Sequence, residues 1–315
     1  MDIRVLKRID VRSPIMIAGW PGMGNVALGA VDFLRRKLNC EKFAEVDISD
    51  VFTHDYVEVE NGVTFKAPPP MNSFYYRKNP DIILFESNIQ LRSKDGENFL
   101  NLILSFAKEM KVRMIMTGAA FPQLNQTFED PSVVYAVANS EYLRNLLYDK
   151  YKIRIMEGGH IRGMNGLIIG YARDWDIDAA CFLATMPQFA IEIPNPKASK
   201  AVVLTMSKII GITIDTYELD MQIESLEKEF KSLKEKFSQF VKRPQEPEAI
   251  PEEKETETYE EEDVPKEVIE RIEKLFEEAK KDRSKAYILK KELDKWNLFK
   301  KYEDRFLDLF KEDKS

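Results

Sequence analysis

Short apolar runs alternate with helical patterns over the first two thirds of the chain, and this alternation constrains the fold more than any other feature. The run from Ile82 to Phe85 is continuously apolar, as expected of a strand buried on both faces, and Val112 to Thr117 forms a second strand of this kind. Between them, apolar residues from Phe99 to Phe106 recur at helical spacing. Strands that alternate with helices predict a mostly parallel sheet with helices on both faces, that is, a three-layer α/β domain over residues 1–213.

Local signals place further elements inside this domain. The pair Asn61-Gly62 lies between two short strand-like segments, and this predicts a hairpin from Val57 to Phe65. Residues 132–149 and 197–210 have apolar spacings that predict helices, and Ala180 to Thr185 predicts another strand.

A heptad pattern follows the α/β domain. Its apolar residues are spaced alternately four and three apart over about three repeats, which predicts an amphipathic helix over residues 215–241. The stripe forms either a coiled-coil or partner seam between chains, or a contact with the helix's own domain. Its members are Leu219, Ile223, Leu226, Phe230, Leu233, Phe237 and Phe240.

The remaining residues divide into a linker and a helical module. Residues 243–263 hold three prolines and ten acidic residues against two basic ones, a composition that predicts an acidic disordered linker. Residues 264–313 then have helical patterns with a large aromatic load, which must pack against itself, against the main body or against a partner. Its candidate partner-binding aromatics are Trp296, Phe299, Tyr302, Phe306 and Phe310.

Composition and the few reactive side chains exclude several classes of function. The net charge is −7, which disfavours nucleic-acid binding, and no apolar stretch is long enough to span a membrane, so we expect a cytoplasmic protein. Neither His54 nor His160 lies in a recognisable nucleophile or metalloprotease motif, and Cys40 and Cys181 have no Cys or His at ligand spacing. We therefore predict no catalytic residue, no metal and no cofactor.

The most distinctive segment follows the first apolar run and precedes the first helix. Within it, Gly22, Gly24 and Ala27 match the G-x-G-x-x-A spacing of a dinucleotide-binding turn. However, Trp20 beside this turn would crowd a pyrophosphate. A tight strand-to-helix turn, in which glycines adopt unusual backbone angles, is the alternative. The candidate turn consists of Gly19, Trp20, Pro21, Gly22, Met23, Gly24 and Asn25.

The same string resembles the N-terminal signature of the archaeal branch of the proteasome assembly chaperone family, second-subunit type. Phe85-Glu86, Thr117-Gly118 and the glycines of residues 158–170 agree with this resemblance, which covers about residues 10–240. It implies an α/β fold akin to nucleoside phosphorylases without their catalysis, oligomerisation, and binding to proteasome α subunits or other proteins. Family members that dock on the proteasome often have a penultimate Tyr, whereas this chain has Lys314 there.

The sequence thus favours a non-enzymatic oligomeric assembly chaperone or scaffold, whose partners are copies of itself and proteasome α subunits or another protein client. Two other hypotheses stay open. One is a nucleotide-binding protein or ATP-grasp-like enzyme that uses the turn from Gly22 to Asn25. The other is a structural oligomer that recruits a separate client through its tethered C-terminal helices.

Overall fold

The computed structural model describes residues 1–54, 56–242, 266–281, 285–296 and 298–309. The chain divides into two compact units, Met1–Lys242 and Arg243–Ser315. The strands of the first unit are β1 (Asp2–Val5), β2 (Ile15–Gly19), β3 (Glu41–Asp47), β4 (Val57–Glu60), β5 (Val63–Lys66), β6 (Asn72–Arg77), β7 (Ile82–Ser87), β8 (Met114–Gln123), β9 (Val134–Ala138), β10 (Arg154–Ile155) and β11 (Asp178–Pro187). Its helices are α1 (Val26–Lys37), α2 (Ser93–Glu109), α3 (Glu141–Asp149), α4 (Met164–Ala172), α5 (Pro196–Ile210) and α6 (Tyr217–Lys242).

Nine strands form one mixed sheet in the order β1-β3-β6-β7-β2-β8-β11-β9-β10. The four central strands, β7, β2, β8 and β11, run parallel to one another. The antiparallel pairings lie at the flanks, between β1 and β3, β3 and β6, β6 and β7, and β9 and β11. The predicted α/β fold with a parallel centre is confirmed.

Alternate residues of the central strands face two separate cores. On β2, Ile15 and Ile17 pack with α1, α3 and α5, whereas Met16 and Ala18 pack with α2 and α4. Because successive side chains of a strand point to opposite faces, a strand buried on both faces must be apolar throughout. The three-layer arrangement predicted from the buried runs is therefore present.

Two local predictions had different outcomes. The hairpin is confirmed: β4 and β5 are joined by Asn61 and Gly62, whose φ angles are 50° and 81°. The predicted helix over residues 132–149 is wrong in its first half, where β9 lies instead. That half is rich in valine with a tyrosine, which favours a strand, and the helix α3 begins only after Ser140, whose side-chain oxygen accepts from the Leu143 N–H at 3.2 Å.

The long helix α6 packs against α5 within its own unit. Leu219 is buried with the α1–α5 core, and Ile223, Leu226 and Phe230 are partly buried. Ion pairs join the start of α6 to α1, from Glu218 to Arg36 at 2.6 Å and from Asp215 to Lys37 at 3.1 Å. The first half of the predicted seam thus contacts its own domain. The side chains of Leu233, Phe237 and Phe240 lie outside the described residues.

The second unit contains α7 (Lys266–Lys281), α8 (Ala286–Lys295) and α9 (Phe299–Asp308). Its aromatic side chains pack against one another: Tyr302 lies 5.8 Å from Phe276 and Phe299 lies 5.5 Å from Phe306, measured between ring centroids. Arg305 on α9 makes two hydrogen bonds to the Glu273 carboxylate on α7, at 2.7 and 2.6 Å. Trp296, at the end of α8, is partly buried. The predicted linker, residues 243–263, and Phe310 lie outside the described residues.

Candidate functional site

The turn after β2 is held by backbone hydrogen bonds to the segment between β11 and α5. The Gly24 N–H donates to the Ile191 carbonyl at 2.6 Å, and the Gly24 carbonyl accepts from the Asn195 N–H at 2.8 Å. Gly24 has a φ of 60°, and a Cβ added to it would lie 2.8 Å from the Met186 sulfur. The conformation and the space available therefore both require glycine at this position.

Three N–H groups of the turn donate to protein oxygens. Besides Gly24, the Asn25 N–H donates to the Gly22 carbonyl at 2.8 Å and the Trp20 N–H donates to the Asn165 side chain at 3.0 Å. Gly22 itself has an extended backbone, which any residue can adopt. A phosphate-binding turn must offer free N–H donors to its ligand, so this geometry favours the structural interpretation of the turn.

Trp20 is fully buried among the aromatic residues on the α2–α4 side of the sheet. Its ring centroid lies 5.3 Å from that of Phe85, and it is 0% exposed. Asn165, near the start of α4, pairs with both backbone polar groups of Trp20 at 3.0 Å. The Asn165 carbonyl in turn accepts from the Thr117 hydroxyl on β8 at 2.7 Å. Sequence analysis singled out Trp20 but missed Asn165, because the two residues are far apart along the chain.

The crevice between the ends of β2 and β7 is bridged by Gln90. The helices that follow these neighbouring strands, α1 and α2, lie on opposite faces, and such a crevice is the usual ligand site of an open α/β sheet. Here the Gln90 side-chain amide donates to the Pro21 carbonyl, and its oxygen accepts from the Met164 N–H at 3.1 Å. The Gln90 side chain thus spans the crevice at this point.

A cavity of about 280 Å³ lies beside this bridge. His160 contributes to its wall together with Arg162, and both side chains are exposed. Gln90 and Asn165 also line it, and its remaining residues are apolar or glycine and come from the turn, α1, the end of β8, β11 and the segment before α4: Gly22, Met23, Val26, Ala27, Ala119, Ala120, Phe121, Pro122, Met156, Ile161 and Leu183.

Glu86, at the end of β7, is a buried carboxylate paired with a cation. It is 4% exposed, and Arg35 of α1 donates to it at 2.6 Å while the same guanidinium lies over the Tyr75 ring at 5.1 Å. Burial raises the pKa of Glu86 above its ordinary value, and the Arg35 charge opposes that rise. The pair fastens α1 to the sheet.

An aromatic cluster lies on the surface where α6 passes the loop after β8. The ring centroids of Phe128 and Phe230 are 3.8 Å apart, and Phe189 lies 5.4 Å from Phe128 and 6.3 Å from Phe230. Phe189 is 63% exposed. Sequence analysis named Phe230 but missed the other two rings. Phe128 lies in a loop, Phe189 in a single helical turn and Phe230 on α6, and about forty to sixty positions separate them along the chain. Such a cluster leaves no local pattern in the sequence.

The described parts of the chain hold no candidate metal site and no candidate membrane span. Among those residues, no group of three or more His, Cys, Asp or Glu side chains is placed to hold a metal ion, and no helix is both long and apolar enough to cross a membrane. Cys40 and Cys181 are free thiols, and burial raises their pKa values to about 11 and about 12.

Solved structures share this fold. An archaeal proteasome activator, PbaB from Pyrococcus furiosus, is 26% identical with a TM-score of 0.63, over 74% of this chain and 98% of its own. PbaA from the same organism, an archaeal homolog of proteasome-assembly chaperone, is 22% identical with a TM-score of 0.61, over 76% of this chain and 95% of its own. A proteasome-assembly chaperone homologue from Mycobacterium tuberculosis is 18% identical with a TM-score of 0.57, over 69% of this chain and 94% of its own.

No curated protein matches this chain. The model of the PAC2 family matches residues 16–234, which include the turn after β2, the whole sheet except β1 and the first residue of β2, and most of α6. This match spans more than half of the chain. The protein therefore belongs to the PAC2 family.

Proposed function

We propose that this protein is a non-enzymatic assembly chaperone or scaffold that associates with copies of itself and binds proteasome α subunits or another protein client. Membership of the PAC2 family supports a chaperone-like role, as does the similarity to a proteasome activator at 26% identity. The observation that carries the proposal is the surface cluster of Phe128, Phe189 and Phe230.

This cluster has the properties of a protein-binding site. The three rings line a cleft of about 600 Å³, and its lining also contains charged side chains, namely Glu129, Glu224, Glu227, Lys228 and Lys231. Protein interfaces commonly combine buried aromatic anchors with a polar rim, and a few such anchors contribute most of the binding energy. An exposed Phe189 beside two partly buried rings offers such an anchor, and an apolar segment of a client would cover it.

In this proposal the turn after β2 stabilises the fold and does not bind a ligand. The N–H groups of Trp20, Gly24 and Asn25 donate to protein oxygens, and Gln90 bridges the crevice beside the turn, so both features stabilise the connection that follows β2. The C-terminal aromatics Tyr302 and Phe306 pack inside their own unit, which leaves the first unit as the better source of aromatic anchors.

Binding of purified proteasome α subunits tests the proposal. We expect Phe189→Ser to weaken binding by about tenfold or more, as loss of an aromatic anchor does. Tyr142→Ser is the matched control, because Tyr142 is an aromatic residue on α3 that is 71% exposed and lies outside the cluster. Equal affinities for both variants would refute the role of the cluster, and no binding by the wild-type chain would refute the α-subunit client.

A further inference from the structure

The hairpin formed by β4 and β5 is separate from the main sheet and is exposed along its whole length. All eight of its strand residues are exposed, and none belongs to a hydrophobic core. A two-stranded hairpin that packs on nothing is marginally stable in water. Large apolar side chains exposed on both faces of such a hairpin are available for contact with another surface. The apolar residues, each 49% to 63% exposed, are Tyr56, Val57, Val59, Val63 and Phe65.

The strand register gives one face of this hairpin an acidic and apolar character. Glu58 is paired with Phe65 and Glu60 with Val63, and directly paired residues of antiparallel strands point to the same face. This face therefore presents two carboxylates beside two apolar side chains. A matching surface would need basic and apolar side chains at similar spacing.

Such a surface lies beside β10, the last strand in the order of the main sheet. A groove of about 390 Å³ runs between the start of β10 and α5, and Leu204 on its wall is 46% exposed. Its charged lining residues are all basic, namely Lys152, Arg154 and Lys208. The apolar part of the lining comes from Val133, Val134, Tyr151, Ile153, Ala201 and Leu204.

The hairpin and the groove lie on the same edge of the sheet, and no hairpin residue belongs to the groove lining within the described chain. The hairpin follows the carboxyl end of β3, which runs parallel to the central strands, and the groove lies at the amino ends of β9 and β10, which run the opposite way. Six strand-to-strand steps separate β3 from β9, or about 29 Å at about 4.8 Å each. Each strand of the hairpin has four residues and spans about 14 Å, which is about half of that separation.

We propose that the acidic and apolar face of the hairpin in one copy docks into the basic groove at β10 of a second copy. The carboxylates Glu58 and Glu60 meet Lys152 and Arg154, and Val63 and Phe65 cover the apolar wall beside Leu204. Because the two surfaces differ, copies associate reciprocally about a two-fold axis or head to tail around a ring. This inference names the surface behind the self-association in the proposed function and rests on that part of it.

Charge-reversed variants of the full chain test the contact, with light scattering as the measurement. Glu58→Lys/Glu60→Lys places basic side chains against the basic groove. Lys152→Glu/Arg154→Glu places acidic side chains against the acidic face of the hairpin. Each double variant alone should raise the dissociation constant of self-association by about tenfold or more. A one-to-one mixture of the two should restore assembly, since each reversed surface then meets its opposite. The control, Glu109→Lys/Asp174→Lys, changes two exposed acids outside both surfaces and should assemble as the wild type does.

The mixture separates the contact from a folding defect, because a misfolded variant is not rescued by its counterpart. A mixture that stays dissociated would overturn the proposal, and so would unchanged assembly of both double variants or a wild-type chain that is monomeric at all concentrations. Binding of α subunits is measured on the same variants. Assembly unchanged with α-subunit binding lost would assign the hairpin to the client instead of a second copy. Lost assembly with α-subunit binding retained supports the contact and leaves the client hypothesis standing.

Discussion

Asn165 hydrogen-bonds both backbone polar groups of Trp20: its Oδ1 accepts from the Trp20 N–H and its Nδ2 donates to the Trp20 carbonyl, each at 3.0 Å. Both groups lie at the end of a central strand, where the sheet no longer pairs them. An amide side chain matches them because it offers one acceptor and one donor. The pair joins α4 to the turn after β2 and is buried.

Replacement of Asn165 by Ala should destabilise the protein. The substitution removes two hydrogen bonds and leaves a buried N–H and a buried carbonyl unpaired, so we expect the free energy of unfolding to fall by about 2–4 kcal/mol. Urea unfolding followed by circular dichroism measures the change. Asn125→Ala, at an exposed position, is the control and should stay within about 0.5 kcal/mol. Equal midpoints for the two variants would contradict the role of the pair.

Gly24 and Gly22 should differ in their tolerance of a side chain. Gly24→Ala forces alanine to a φ of 60° and places Cβ 2.8 Å from the Met186 sulfur, so it should cost about 1–3 kcal/mol of stability. Gly22→Ala meets its nearest atom at 3.6 Å in an extended conformation and should have little effect. Thermal melting of both variants makes the comparison, and a Gly22→Ala protein as unstable as Gly24→Ala would contradict it.

Nucleotides should not stabilise the protein. The N–H groups of Trp20, Gly24 and Asn25 donate to protein oxygens, so the turn has few donors left for phosphate. A ligand bound with micromolar affinity adds about 4 kcal/mol at a thousandfold excess over its dissociation constant, which raises the melting temperature clearly. We expect no such rise with millimolar ATP or NAD. A rise that Gly22→Ala abolishes would establish the nucleotide-binding interpretation instead.

The burial of Glu86 predicts a pH-dependent difference in stability. Burial raises the folded-state pKa of Glu86, although the positive charge of Arg35 opposes that rise. Between the unfolded-state pKa and the folded-state pKa, the folded state therefore binds more protons than the unfolded state. The contribution of Glu86 to stability therefore falls as pH rises from the ordinary glutamate pKa through the raised one. Glu86→Gln keeps an acceptor for Arg35 but has no such dependence.

The free energy of unfolding of Glu86→Gln relative to the wild type should thus increase from pH 4 towards neutral pH. Urea titrations at several pH values give this difference directly, and other titrating groups cancel in it. A difference that is flat or that decreases with pH would show that the Arg35 charge outweighs burial.

The elements that the sequence predicts well are those with a local signature. Ile82 to Phe85 is apolar because β7 is covered on both faces, and Asn61-Gly62 makes the hairpin turn because both residues accept a positive φ. The segment Val134–Ala138 forms a strand, although its apolar pattern also fits a helix, since a short apolar run is ambiguous until its neighbours on the sheet are known.

The features missed from the sequence depend on contacts between distant residues. No local sequence pattern distinguishes Asn165 from any other asparagine. Its role comes from its hydrogen bonds to Trp20, which lies 145 positions away along the chain. Phe128 and Phe189 form the surface cluster through their ring contacts with Phe230, and these contacts are visible only in the structure. The heptad stripe on α6 fits a partner seam and a contact with its own domain equally well in the sequence, and only the structure shows that Leu219 lies in the core of its own unit.

Native mass spectrometry of the wild-type chain, alone and with purified proteasome α subunits, tests the central claim most directly. The chain should have a mass of several copies by itself and should form a stoichiometric complex with α subunits, which Phe189→Ser weakens and Tyr142→Ser does not. A monomer that forms no complex with α subunits would contradict the proposed chaperone function.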